Sequence, residues 1–180
     1  MGISRVVNDQ LKPEHQVFIA EMGATHVGDI KELVNLVRPK YGILTSIGPR
    51  HMDTFGSIEN IASTKFELVQ GLPRDGLAVF GWGDDYINRL YALCRHDKCR
   101  IGMDGDSGAF MRAQNLSFSD RGSAFDMVCA DGGTVRCRTR LLGSYNVKNI
   151  LLAAALARKM GLEMTEIAEA VKGLSPIEHR

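Results

Sequence analysis

The sequence has 180 residues, 44% hydrophobic and 24% charged, the composition of a globular chain large enough to bury its own core. Its formal net charge is +1, from 22 Lys and Arg against 21 Asp and Glu, so no global field draws it to nucleic acid or to an acidic membrane surface. No apolar run is long enough to cross a bilayer or act as a signal peptide, and Cys94, Cys99, Cys129 and Cys137 form no CxxC pair; reduced thiols in the cytoplasm are the expectation.

In chain order, a helix is expected over Ser4 to Leu11. Val17-Phe18-Ile19-Ala20 is a continuous apolar run, the pattern of a strand buried on both faces. Gly28 to Val37 reads as a helix, with Ile30, Leu33, Val34 and Val37 at helical spacing and Pro39 as its stop. Tyr41 to Ile47 reads as a second strand, and Ser57 caps a helix running to about Gln70. Leu77 to Phe80 is a third strand and Asp84 to Leu93 a further helix. This alternation predicts a parallel α/β sheet flanked by helices over residues 1–105.

The pattern changes after about Arg100. Phe110 to Phe118, Ala124 to Ala130 and Thr134 to Leu142 read as short strands joined by turns such as Asp131-Gly132-Gly133, an antiparallel β appendage over 106–142. Residues 143–180 then hold an Ala-rich helix, Val147 to Met160, and a shorter one, Thr165 to Lys172, with Thr165 as its cap. The chain opens inside a helical pattern and stops at Arg180, just after Ser175-Pro176, so both ends read as cuts.

Several polar residues stand where such a sheet would present them. Glu21 follows the first strand and His51 lies just past the second, and ligands of open α/β sheets bind beyond the carboxyl ends of strands. From position alone each is first read as a solvated loop residue. Lys65 lies within the apolar stripe Ile58, Ile61, Ala62, Val69 of its helix. A lysine there either snorkels out or is held with its amine made accessible by burial. Asn146 and Asn149 flank the start of the Ala-rich helix. They read either as a cap and a first-turn residue or as carboxamides suited to the edge of a purine. His15, His26, His96 and His179 read as surface, and Trp82 as a partly buried loop anchor.

Five segments in order carry a resemblance: Glu21-Met22-Gly23-Ala24 with Gly28-Asp29-Ile30; Thr45-Ser46-Ile47-Gly48-Pro49-Arg50-His51; Phe55-Gly56-Ser57 with Thr64-Lys65-Phe66-Glu67-Leu68; Leu142-Gly143-Ser144-Tyr145-Asn146-Val147-Lys148-Asn149; and Pro176-Ile177-Glu178-His179-Arg180. Together they resemble the central, ATP-binding domain of the Mur ligase family. The branch they look like joins D-alanyl-D-alanine to a UDP-N-acetylmuramoyl tripeptide in peptidoglycan synthesis. The resemblance implies a P-loop-NTPase-like fold over 1–180, ATP and magnesium (Mg2+) as cofactors, no nucleic-acid partner, no membrane insertion, and a cytoplasmic monomer.

The resemblance also implies roles. Glu21 and His51 would be magnesium ligands. Lys65 would carry a carbamate that serves the metal, Asn146 and Asn149 would contact adenine, and Arg180 would lie near the nucleotide. The family's Gly-rich turn ending Gly-Lys-Thr or Gly-Lys-Ser does not occur, and Ser63-Thr64-Lys65 has no glycines before it to replace one. The UDP-substrate domain and the C-terminal domain are missing too, and the 180 residues alone are expected to turn over no ATP. Tyr145 stands where many relatives have His, and Gly81 and Gly83 where Asn and Asp are common. The alternatives are a folylpolyglutamate or cyanophycin synthetase type of ligase, a non-catalytic scaffold that kept the fold, and a metal-dependent hydrolase built on Glu21 and His51.

Overall fold

A computed structural model describes residues 2–176. One six-stranded sheet runs through it in the order β1 to β6: β1 (Tyr41–Leu44), β2 (Leu77–Phe80), β3 (Asp97–Met103), β4 (Met111–Ser119), β5 (Gly122–Cys129) and β6 (Thr134–Thr139). The pairs from β1 to β4 are parallel and the last two are antiparallel. The antiparallel strands therefore extend the parallel sheet, joined through the β3–β4 pair Ile101 with Met111. The helices are α1 (Ile3–Asp9), α2 (Asp29–Val37), α3 (Met52–Phe55), α4 (Ile58–Gln70), α5 (Asp85–Leu93), α6 (Ser144–Lys159) and α7 (Met164–Lys172).

Two apolar layers explain why these segments pair. In β2, Ala78, Val79 and Phe80 are all fully buried, because helices cover both faces of the parallel strands. On one face Ala78 and Phe80 meet Ile61 and Phe66 of α4 and Ile87 and Leu90 of α5. On the other, Val79, Ile101, Phe125 and Met127 pack against Val147, Leu151 and Ala155 of α6 and Ile167 and Val171 of α7. Along β5 burial alternates: Phe125, Met127 and Cys129 point into this core, while Ala124, Asp126 and Val128 point outward. That alternation is the mark of a sheet covered on one side only. The four cysteines are buried free thiols, and burial pushes Cys99 and Cys137 up to about 11, so they act as apolar core.

Three expectations need correction. Val17–Ala20 is not a strand. Val17 is 62% and Ile19 89% exposed, and among the described residues Val17 to Met22 make no hydrogen bond and have no strand beside them to complete a ladder. Asn146 is not a cap: α6 starts earlier, after Gly143, and the Asn146 amide lies within the first turn. Thr165 does not cap α7 either. Glu163 does, in a reciprocal box with Glu166. Ser57 caps α4 as expected, accepting from Asn60 N at 3.1 Å.

Thr64 of α4 is fully buried, and its hydroxyl has no hydrogen-bond partner among the described residues. A buried, unsatisfied hydroxyl costs stability that an isosteric methyl does not. Thr64→Val is therefore expected to stabilise the chain by about 1 kcal/mol. Urea denaturation checks it, and an unchanged or lower midpoint would mean that the hydroxyl has a partner in solution.

Candidate functional site

The loops leaving β1 and β2 lock together at the carboxyl edge of the sheet. Gly81 N donates to Leu44 O at 2.8 Å, and a Cβ on Gly81 would stand 1.9 Å from Thr45 O. Asp84 completes the lock. Its Oδ2 accepts from Ile47 N at 2.8 Å, and its Oδ1 caps α5 by accepting from Tyr86 N at 2.9 Å and Ile87 N at 3.3 Å.

Lys65 reaches into this junction from α4. The residue is half-buried, and its Nζ donates to Ser46 O at 2.9 Å. Burial lowers its pKa first, the neighbouring Arg50 guanidinium lowers it further, and the Asp84 carboxylate opposes both. Lys65, Ser46, Arg50 and Asp84 thus share one electrostatic neighbourhood.

His51 follows Arg50 directly. It is exposed, adopts the left-handed conformation (φ 57°, ψ 39°) and stands at the N-cap of α3. Thr54 of α3 donates its hydroxyl to Thr25 O, tying α3 to the segment that follows Glu21. Asp29 holds that segment in turn, accepting from Thr25 N and His26 N, each at 2.8 Å, and these bonds lower its pKa. Glu21 itself is exposed and makes no hydrogen bond among the described residues, so no such bond ties its carboxylate to His51 or Lys65.

The start of α6 meets the same sheet edge. Lys148 Nζ stands 5.2 Å from the Trp82 ring centroid, just after β2, an ordinary cation–π distance. The Asn146 amide donates to Leu142 O at 2.8 Å, and Asn149 is half-buried with no side-chain hydrogen bond among the described residues. Arg180 lies outside the described residues. The sequence reading missed Asp84 as a bridge. Its capping role had a local signal, Asp ahead of a helix, but its bond to Ile47 N depends on two loops meeting and has none.

The chemistry of the donor set limits what it can hold. Magnesium takes oxygen ligands. The encoded side chains offer one carboxylate, one imidazole and one amine that is already donating to Ser46 O. Among the described residues no three His, Cys, Asp or Glu side chains come together as a metal site. As encoded, Glu21, His51 and Lys65 do not make a magnesium site, and they approach one only if Lys65 gains oxygen atoms. No described helix is long and apolar enough to cross a membrane.

Comparison with known proteins gives a consistent picture. The family model described as Mur ligase middle domain matches residues 1–157. The UDP-N-acetylmuramoyl-tripeptide–D-alanyl-D-alanine ligase of Haemophilus influenzae is 26% identical over 171 residues, which are 95% of this chain and 36% of that ligase. Among solved structures, MurF from Acinetobacter baumannii superposes with a TM-score of 0.85 at 24% identity, over 93% of this chain and 36% of that one. MurF ligase from Thermotoga maritima in complex with ADP superposes with a TM-score of 0.71 at 19% identity, over 87% and 35%. The chain thus spans little more than a third of the length of these proteins.

Proposed function

This chain belongs to the Mur ligase family, and we propose that it is the ATP-handling middle domain of a cytoplasmic, monomeric ligase that joins D-alanyl-D-alanine to a UDP-N-acetylmuramoyl tripeptide in peptidoglycan synthesis. The observation that carries the reading is Lys65: a half-buried amine of lowered pKa, aimed at the loop junction beyond β1 and β2. A neutral amine adds to carbon dioxide to give a carbamate and release a proton. That step replaces a cation with two oxygen donors in the place where the encoded set lacks them. With Lys65 so converted, Glu21, His51 and Lys65 would hold magnesium, and Asn146 and Asn149 would meet the purine of ATP. Bound magnesium would supply neutralisation of phosphate charge.

In this reaction the tripeptide carboxylate attacks the γ-phosphorus of ATP, the bond to ADP breaks, and an acyl phosphate forms. The dipeptide amine then attacks the acyl carbon, inorganic phosphate leaves, and the amine proton is lost as the amide forms. Positioning and charge neutralisation carry such a transfer. The residues of this chain contribute by fixing Lys65 against Ser46 O and by locking the β1 and β2 loops through Asp84. The 180 residues contain no Gly-rich turn ending Gly-Lys-Thr or Gly-Lys-Ser. They are therefore expected to form no amide alone. Among the described strands β1 pairs with β2 alone, so its outer edge is open to a further strand.

The test uses 13C-labelled bicarbonate with the 180-residue chain. A carbamate carbon resonance is expected, growing as pH rises towards 9 because the neutral amine becomes more abundant, and absent in Lys65→Gln. No Lys65-dependent resonance at any pH would remove the observation on which the reading rests. In a ligase carrying this domain, phosphate release should require ATP, the UDP-linked tripeptide and D-alanyl-D-alanine together. Release that is indifferent to the dipeptide would reassign the substrate.

A further inference from the structure

The outward face of the antiparallel strands holds a cavity of about 340 Å³ lying on β4, β5 and β6, whereas the Lys65 junction lies beyond β1 and β2. Its shape follows from register. Ser117, Ala124 and Arg138 stand in one cross-strand row, with Ser119 and Gly122 paired beside it. The middle strand contributes Gly122, Ala124 and Ser123, whose hydroxyl is already donating to Leu141 O, so the floor is built of small residues. Hydroxyls rise on the β4 side, guanidiniums rise on the β6 side, and Arg121 lines the hairpin end. Gly122 is obligatory: its φ is +125°, and a Cβ there would stand 1.9 Å from Thr139 O.

The cavity presents donors without a free acidic counterpart. Arg136 is already taken, with Nη1 donating to Asp126 Oδ1 at 3.0 Å and to Asn115 O at 3.3 Å. The other Asp126 oxygen accepts from the Asn115 amide at 2.6 Å, so this carboxylate is satisfied on both oxygens. Arg121 and Arg138 have no side-chain partner among the described residues. Ser119 Oγ accepts from Arg121 N at 3.2 Å and keeps its own hydrogen to donate. Ser117 donates to Ala124 O at 3.3 Å. Asp120, in the hairpin turn, does not line the cavity.

We infer that this cradle binds the diphosphate group of a small phosphorylated molecule, held by Arg121, Arg138 and the Ser119 hydroxyl. Two unpaired guanidiniums can each grip phosphate oxygens through a planar, bidentate fork, and two linked phosphates offer each of them an oxygen pair of its own. The volume is that of a small-molecule site. The inference stands apart from the ligase reading, since it uses none of the residues invoked there.

The probe is inorganic pyrophosphate, titrated into the 15N-labelled chain at fixed ionic strength and followed by amide NMR. The expected result is one-site, saturable shifts at Ser117, Ser119, Arg121, Ala124 and Arg138, with orthophosphate binding more weakly. Arg138→Gln should weaken pyrophosphate by about tenfold, the loss of one charged hydrogen-bonding group, at an unchanged melting temperature. Arg121→Gln provides the second reading if Arg138→Gln does not fold. Shifts that fail to saturate, shifts confined to the Lys65 junction, or full affinity in both variants would overturn the inference. So would a single-stranded oligonucleotide that saturates the same residues more tightly than pyrophosphate does.

Discussion

Gly81→Ala is expected to cost roughly 4 kcal/mol, a large share of the stability of a domain this size. The reason is contact, not backbone conformation, since Gly81 has no positive φ. Its missing Cβ would lie 1.9 Å from Thr45 O and 3.0 Å from Thr45 C, both backbone atoms that cannot swing aside as a side chain would. To make room, the loop after β1 would have to withdraw from the loop after β2. That would lengthen the Gly81 N to Leu44 O bond and pull Ile47 N away from Asp84. Gly48→Ala is the control, because nothing lies within 4 Å of its added Cβ. Urea denaturation of the two variants separates the explanations. A Gly81→Ala midpoint close to that of Gly48→Ala would show that the loops are not packed as described.

The same junction shows how far the sequence can be read. Alternating strand and helix patterns point to a parallel sheet flanked by helices, though not to its strand order or to β3, because β2 and the helices around it owe their burial to local apolar runs. Ser57 and the stripe containing Lys65 were legible for the same reason: cap and periodicity are written in neighbouring residues. Val17–Ala20 was misread because its pattern is that of a buried strand, while burial depends on a neighbour that pairs with it. Asn146 was assigned as one reading of a cap because asparagine favours that position. Instead Gly143 holds the N-cap position of α6, and the Asn146 amide donates back to Leu142 O. The basic cradle on β4 to β6 escaped notice altogether. Ser117, Ala124 and Arg138 become a row only once register is fixed, and register across a bulge between Gln114 and Ser117 has no signal in composition.

Asp84→Ala is expected to destabilise the chain by about 3 kcal/mol, from two losses that add because they fall on different groups. The first is the α5 cap: Tyr86 N and Ile87 N lose their acceptor, worth about 1 kcal/mol. The second is the bond from Ile47 N, a residue buried at 8% exposure, whose donor is left facing no partner at a cost of about 2 kcal/mol. Asp84→Asn keeps one carbonyl oxygen and can serve only one of these roles well, so it should fall between parent and alanine variant. The charge matters separately. Asp84 is the group that raises the pKa of Lys65 against burial and Arg50, so removing its charge lowers that pKa further. The neutral amine then appears at a lower pH, and the Lys65-dependent carbamate resonance in Asp84→Asn should begin at lower pH than in the parent. Denaturation reads the first effect and 13C NMR the second. A variant that loses stability but shows no displacement of the carbamate onset would mean that Asp84 holds the loops without tuning the amine.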